Sequence, residues 1–155
     1  MTPQEIFDTS TRRLVKQGGA CTATPVQSFQ KYPAACLYRG RKDPTQGCAV
    51  GVLIPDSVYD SIMEDRTIDQ IINECEVDAS VYSVSKKPVH YPSHLKDFVN
   101  TVLAPHKKLL SALQSAHDKC LARGDWNAWF VALNRISNSF GLKKNQLDKL
   151  RKAHS

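Results

Sequence analysis

Through residues 93–140, apolar side chains recur at helical spacing almost without interruption. Leu95, Phe98, Val99, Val102 and Leu103 form one stripe, and Leu109, Leu110, Leu113, Ala116, His117 and Cys120 continue it after Pro105. Trp126, Trp129, Phe130, Leu133, Ile136 and Phe140 make a third. Pro105 is expected to break or kink the run, because a proline lacks the N–H that an interior helical position donates. Gly124 supplies a C-cap and Asp125 the next N-cap. Amphipathic helices of this extent must be covered on one side, so the first half of the chain has to provide the other layer.

That half opens with a helix signal. Thr2, Pro3 and Glu5 form a capping box with proline at the first helical position, and Ile6, Phe7, Leu14 and Val15 share a face that Gly18 and Gly19 terminate. These signals predict a helix over about 3–17, followed by a surface loop over 20–33. Next come "ACLYR" (35–39) and "CAVGVLI" (48–54), two β-prone runs around "GRKDPTQG", a pattern that predicts an antiparallel hairpin. Pro55 ends the second run, and Asp56 is placed to cap a short helix bearing Val58, Tyr59, Ile62 and Met63. Thr67 and Gln70 repeat the capping-box signal before Ile68, Ile71, Ile72 and Cys75. The segment 76–92, with alternating apolar residues but two prolines near its end, reads as an extended linker or else a third, edge-like strand, and Leu142, Leu147 and Leu150 outline a last short helix. The expected fold class is α+β: a mostly helical domain with a small antiparallel sheet around 35–54.

With 155 residues, the chain is expected to form one domain over 1–142, with a basic helical extension over 143–155. The net charge of +6 gathers late: "KKNQLDKLRKAHS" holds five basic residues against one Asp. No window approaches the run of about 18 apolar residues that a membrane span requires, so no membrane partner is expected. The N-terminal segment carries charge from Glu5 onward and has no apolar signal region. Five cysteines without a CxxC pair fit buried free thiols in a reducing compartment, and the expected location is the cytoplasm.

The order "PQEIFD", "C-L-Y-R", "C-A-V-G-V-L-I-P-D-S-V-Y", "L-Q-S-A-H-D" and "W-x-x-W-F-x-x-L-x-x-I-S-N-S-F-G-L" resembles a family of small, mostly uncharacterised phage and prophage proteins. The likeness spans roughly residues 2–142, and the Cys-Ala-Val-Gly-x-Leu-Ile-Pro-Asp segment is its most specific piece. It implies a phage-associated accessory protein of the host cytoplasm, one that engages a host protein such as a defence or transcription enzyme and modulates or inhibits it. It carries no catalytic residue with it. The chain departs from the family pattern in a longer 76–92 segment and in the basic residues after Leu142.

The candidate chemistry divides into four groups. Cys36 and Cys48 face each other across the expected hairpin, but zinc takes four N or S ligands and no second Cys/His pair stands at finger spacing; neither metal nor cofactor is expected. His117 and Asp118, with Asp56 and Glu64, are the weak candidates for a hydrolase site. Against this, Asp56 suits an N-cap and His117 a buried structural histidine bonded to a loop carbonyl or to Glu64. Arg39, Arg41, Lys42 and Asp43 form a charged loop tip suited to a protein partner. Lastly, Ser137, Gly141, Leu142 and Leu147 reproduce helix-turn-helix spacing over 126–153. In that alternative Asn145 and Gln146 read base edges, while Lys143, Lys144, Lys149 and Arg151 hold DNA phosphates.

Overall fold

The computed structural model describes residues 1–22, 36–76 and 90–155. Helix α1 spans Pro3–Gln17 and begins as its capping box dictates: Glu5 N–H donates to Thr2 Oγ1 at 3.2 Å, and Thr2 N–H donates to Glu5 Oε2 at 2.7 Å. Gly18, at φ 83°, ends it in the left-handed conformation that glycine adopts most readily. Helix α1 buries Ile6, Phe7, Ser10, Thr11 and Leu14. Its two buried hydroxyls are satisfied by carbonyls, Ser10 donating to Ala49 O at 2.8 Å and Thr11 to Phe7 O at 2.7 Å.

The hairpin over 35–54 does not form, and the fold is therefore mostly helical rather than α+β. Among the described residues the β-pairing amounts to one antiparallel bridge, Thr22 with Cys36. Residues 48–54 instead coil: Val52 N–H bonds Cys48 O at 3.1 Å, Leu53 N–H bonds Val50 O at 2.9 Å, and Gly51–Leu53 is a 3₁₀ turn. Burial explains the difference. Every residue from Cys48 to Ile54 is buried, so the run has no polar alternation to distinguish a strand from a coiled segment. Gly51 decides the packing, since a Cβ there would lie 2.2 Å from Tyr38 O. Residues 36–40 still run beside this coil, with Cys48 N–H bonded to Leu37 O at 2.9 Å and Gly40 N–H to Gln46 O at 3.0 Å.

A second correction follows Pro55. Residues 55–59 form a turn, and the next helical piece is the 3₁₀ turn Ser61–Met63, which Asp60 caps by accepting Ile62 N–H at 2.9 Å. Asp56 is not a cap. Helix α2, Ile68–Glu76, carries the second capping box, Thr67 N–H to Gln70 Oε1 at 2.8 Å and Gln70 N–H to Thr67 Oγ1 at 3.2 Å. The expected linker lies largely outside the described residues.

Helix α3, Ser93–Phe98, leads through a π turn (Val99–Leu103) and a 3₁₀ turn (Ala104–His106) into α4, Lys107–Lys119. Pro105 thus alters the winding of the run without ending it, a wide turn before the ring and a tight one around it. Gly124 (φ 73°) and Asp125, which accepts Ala128 N–H at 2.9 Å, separate α4 from α5, Trp126–Ser139. Helix α6, Asn145–His154, closes the chain.

Helix α6 is anchored on α1. The Gln4 amide clasps the Lys143 backbone from both sides, donating to its carbonyl at 3.1 Å and accepting its N–H at 2.8 Å, and Gln146 donates to Asp8 O at 2.8 Å. The two contact points advance together along both helices, so α6 runs beside α1 in the same direction. On its other side the His154 ring lies 4.0 Å from that of Trp126. One apolar cluster, extending from Ile6 to Leu147, joins the six helices of the described residues.

Candidate functional site

Three types of reactive side chain converge beside α4. Gln114, His117 and Asp118 lie at i, i+3 and i+4, which places them on neighbouring positions of one helix face. A sulfur of Cys36, a ring nitrogen of His117 and a carboxylate oxygen of Asp118 fall within 4.8 Å of one another. The group borders a cleft of about 590 Å³ that Tyr38, Asp69 and Ser111 also line.

His117 is fully buried and both ring nitrogens are engaged. Nε2 accepts the Cys21 backbone N–H at 3.3 Å, which requires the ring hydrogen to sit on Nδ1, and Nδ1 donates it to Asp118 Oδ1 at 2.9 Å. The Gln114 amide fills the space between the other groups. Its Nε2 donates to Asp118 Oδ1 at 2.7 Å and to Cys36 Sγ at 2.9 Å, and its Oε1 accepts Val50 N–H at 3.4 Å.

This arrangement suits neither metal nor nucleophilic chemistry. A metal on Nδ1 would move the ring hydrogen to Nε2, directly against the Cys21 N–H. The Cys36 thiol is pushed up from the ordinary cysteine range by its hydrogen bond with the Cys48 thiol and by burial, so it stays protonated at neutral pH and no adjacent base draws off its proton. Cys21, beside the same group, is pushed up to about 11 by burial and by nearby Cys48.

Asp56 and Glu64 are remote from His117 in their contacts and serve Arg39 instead. Glu64 accepts Tyr38 N–H at 3.2 Å, Arg39 N–H at 3.1 Å and the Tyr59 hydroxyl at 2.9 Å. The Arg39 guanidinium, with a side chain only 12% exposed, donates to Tyr38 O at 3.1 Å, to Gly51 O at 2.5 Å and to Ile54 O. It also meets Asp56 at 3.1 Å and lies 5.0 Å from the centre of the Tyr59 ring. Arg39 thus sits inside the loop tip while Arg41, Lys42 and Asp43 stand exposed. Asp43 accepts the Thr45 hydroxyl at 2.6 Å and its N–H at 3.0 Å, and these bonds hold the carboxyl below its ordinary range.

On α6 and the turn before it, Lys143, Asn145, Lys149 and Arg151 are exposed, while Lys144 and Gln146 are half-buried. Sequence reasoning did not pick out Gln114, which organises the His117 group, nor Arg12, Arg13 and Lys16, which line a second cleft with the 43–46 loop. The signal for the latter was present as three cations on the polar face of α1.

The chain matches no protein-family model, no curated protein and no solved structure. No helix among the described residues is long and apolar enough to cross a membrane.

Proposed function

We propose that this chain is a non-catalytic binding protein, a phage accessory factor that engages a host macromolecule and modulates it. The observation that carries this reading is the double engagement of His117. With Nε2 holding the Cys21 N–H and Nδ1 holding Asp118, the ring has no lone pair to offer a substrate, and the neighbouring thiol is kept protonated. A hydrolase would require this group to be rebuilt before it could act.

The resemblance of the CxYR and CAVGxLIPD segments to phage proteins supports the biological setting, and the exposed cations Arg41 and Lys42 support an acidic partner. The helix-turn-helix alternative has weaker support. Gln146, one of its two base-reading residues, donates to Asp8 O, and the start of the would-be recognition helix is clasped by Gln4.

The test is affinity capture from phage-infected cells with the full chain and with an Arg41→Glu/Lys42→Glu variant. A macromolecule retained by the native chain and released by the variant supports the reading. Retention of nothing above background by the native chain overturns it.

A further inference from the structure

A concavity of about 770 Å³ lies between the second half of α1 and the 43–46 loop, and its wall on the helix side is formed by Arg12, Arg13 and Lys16. The one carboxylate among its described lining residues, Asp43, is already bound within its own turn by Thr45. The cleft is held in shape by Gln17, which donates to Gly47 O at 2.9 Å and accepts Gly47 N–H at 3.2 Å, tying the loop to the helix. Arg41 and Lys42 stand exposed on the same loop just before Asp43.

We infer that this cleft binds the sugar–phosphate backbone of a nucleic acid, without reading its sequence. The inference rests on the binding-protein reading and names its partner. Two features separate a phosphate backbone from an acidic protein surface. Every described residue lining the cleft is polar or charged, so among the described residues it presents no buried aromatic or aliphatic anchor of the kind on which protein interfaces depend. Nor do its described lining residues include an aromatic platform for stacking bases, and their charge and hydrogen-bonding groups suit phosphate.

The probe is a fluorescein-labelled DNA duplex of mixed sequence, titrated with the full chain by anisotropy over a range of KCl. Affinity should be indifferent to base composition and fall with salt at a log–log slope of about −0.9 per phosphate neutralised. An Arg12→Gln/Lys16→Gln variant, altered only at exposed positions, should melt like the native protein. It should flatten the slope by about 2 and weaken binding roughly 10–100-fold at 0.1 M salt.

Any of four results overturns the inference: no duplex binding at low salt, an unchanged slope in that variant, equal competition by polyglutamate at matched charge, or loss of binding only on Lys143→Gln/Lys149→Gln. If the duplex fails while the capture experiment retains a protein partner insensitive to Arg12→Gln/Lys16→Gln, this inference falls and the binding-protein reading stands. If both fail, both are removed.

Discussion

Arg39 and Asp56 make the same ion pair from very different positions, and the asymmetry decides what each contributes. Asp56 has a side chain 96% exposed, where water already solvates the carboxylate. Asp56→Asn should therefore change stability by less than about 0.5 kcal/mol. Arg39 is held inside by three backbone carbonyls from Tyr38, Gly51 and Ile54 that no other group in its position would satisfy. Arg39→Met should lower the unfolding free energy by about 3 kcal/mol, read as a shift of the urea midpoint at constant slope. Equal losses in the two variants would show that the ion pair, not carbonyl satisfaction, matters. In the sequence, Arg39 reads as one of several charges at a loop tip; its burial depends on Gly51 and Ile54, which approach it only through the coil of 48–54.

The thiols give a pH prediction at the same scale. Burial pushes Cys21 and Cys75 up to about 11 from the ordinary 9.0. Between those values the unfolded chain loses these protons while the folded chain keeps them, so folding loses stability as pH rises through that interval and gains nothing below it. The melting temperature should be level from neutrality to about pH 9 and then fall toward pH 11. A Cys21→Ala/Cys75→Ala variant, whatever its starting stability, should fall less steeply over the same interval. An identical descent in both proteins would assign the effect to other groups, including the Tyr59 phenol, which burial raises to about 12.

At the scale of elements, helix starts were legible where a capping box or a Gly-Asp pair marked them, whereas the cap expected at Asp56 launches no helix. Thr2 with Glu5, Thr67 with Gln70, and Asp125 after Gly124 each specify a helix start through contacts no more than three residues apart. What was not legible depended on residues far apart in sequence. The 48–54 coil takes its form from Tyr38 pressed against Gly51, and α6 takes its place from Gln4 and Asp8, more than a hundred residues earlier. Helix α6 is accordingly expected to support the fold despite its charged composition. Leu147→Ala, which truncates a side chain 3% exposed, should cost about 2–4 kcal/mol, and removal of 143–155 should lower the melting temperature further. A truncated chain that melts at the native temperature would mean that α6 is a dispensable tail.

For the molecule as a whole, one apolar cluster reaches every described helix, and hydrogen bonds such as Ser111 to Asp69 and Asn100 to Cys75 O join the two halves around it. Gln114 makes two such bonds at one point: from α4 it reaches Cys36 and Val50, and through Asp118 on its own helix it fixes the hydrogen of His117, which in turn holds Cys21. The candidate site, read from sequence as paired carboxylates around a histidine, is thereby better understood as a polar rivet between the two halves of the chain. Its chemistry was legible in residue type; its closure was not, because Gln114 and the Cys21 N–H carry no reactive signature. Two local probes test the consequence. Trp126 and Trp129 both lie in α5 and report the second half by fluorescence, whereas buried Cys48 and Cys75 report the first half by their reactivity with a thiol reagent. If the rivet couples the halves, both signals should change at one urea midpoint, as a two-state transition requires. Gln114→Leu leaves the Val50 N–H without this partner and takes from Asp118 Oδ1 one of its two donors, His117 remaining, and should lower that midpoint by about 1–3 kcal/mol in free energy. Should the thiols of the variant become reactive at a urea concentration where its tryptophan signal is still native, Gln114 is the element that makes the two halves unfold together; should the two midpoints already differ in the native chain, the halves are independent and the rivet has no such role.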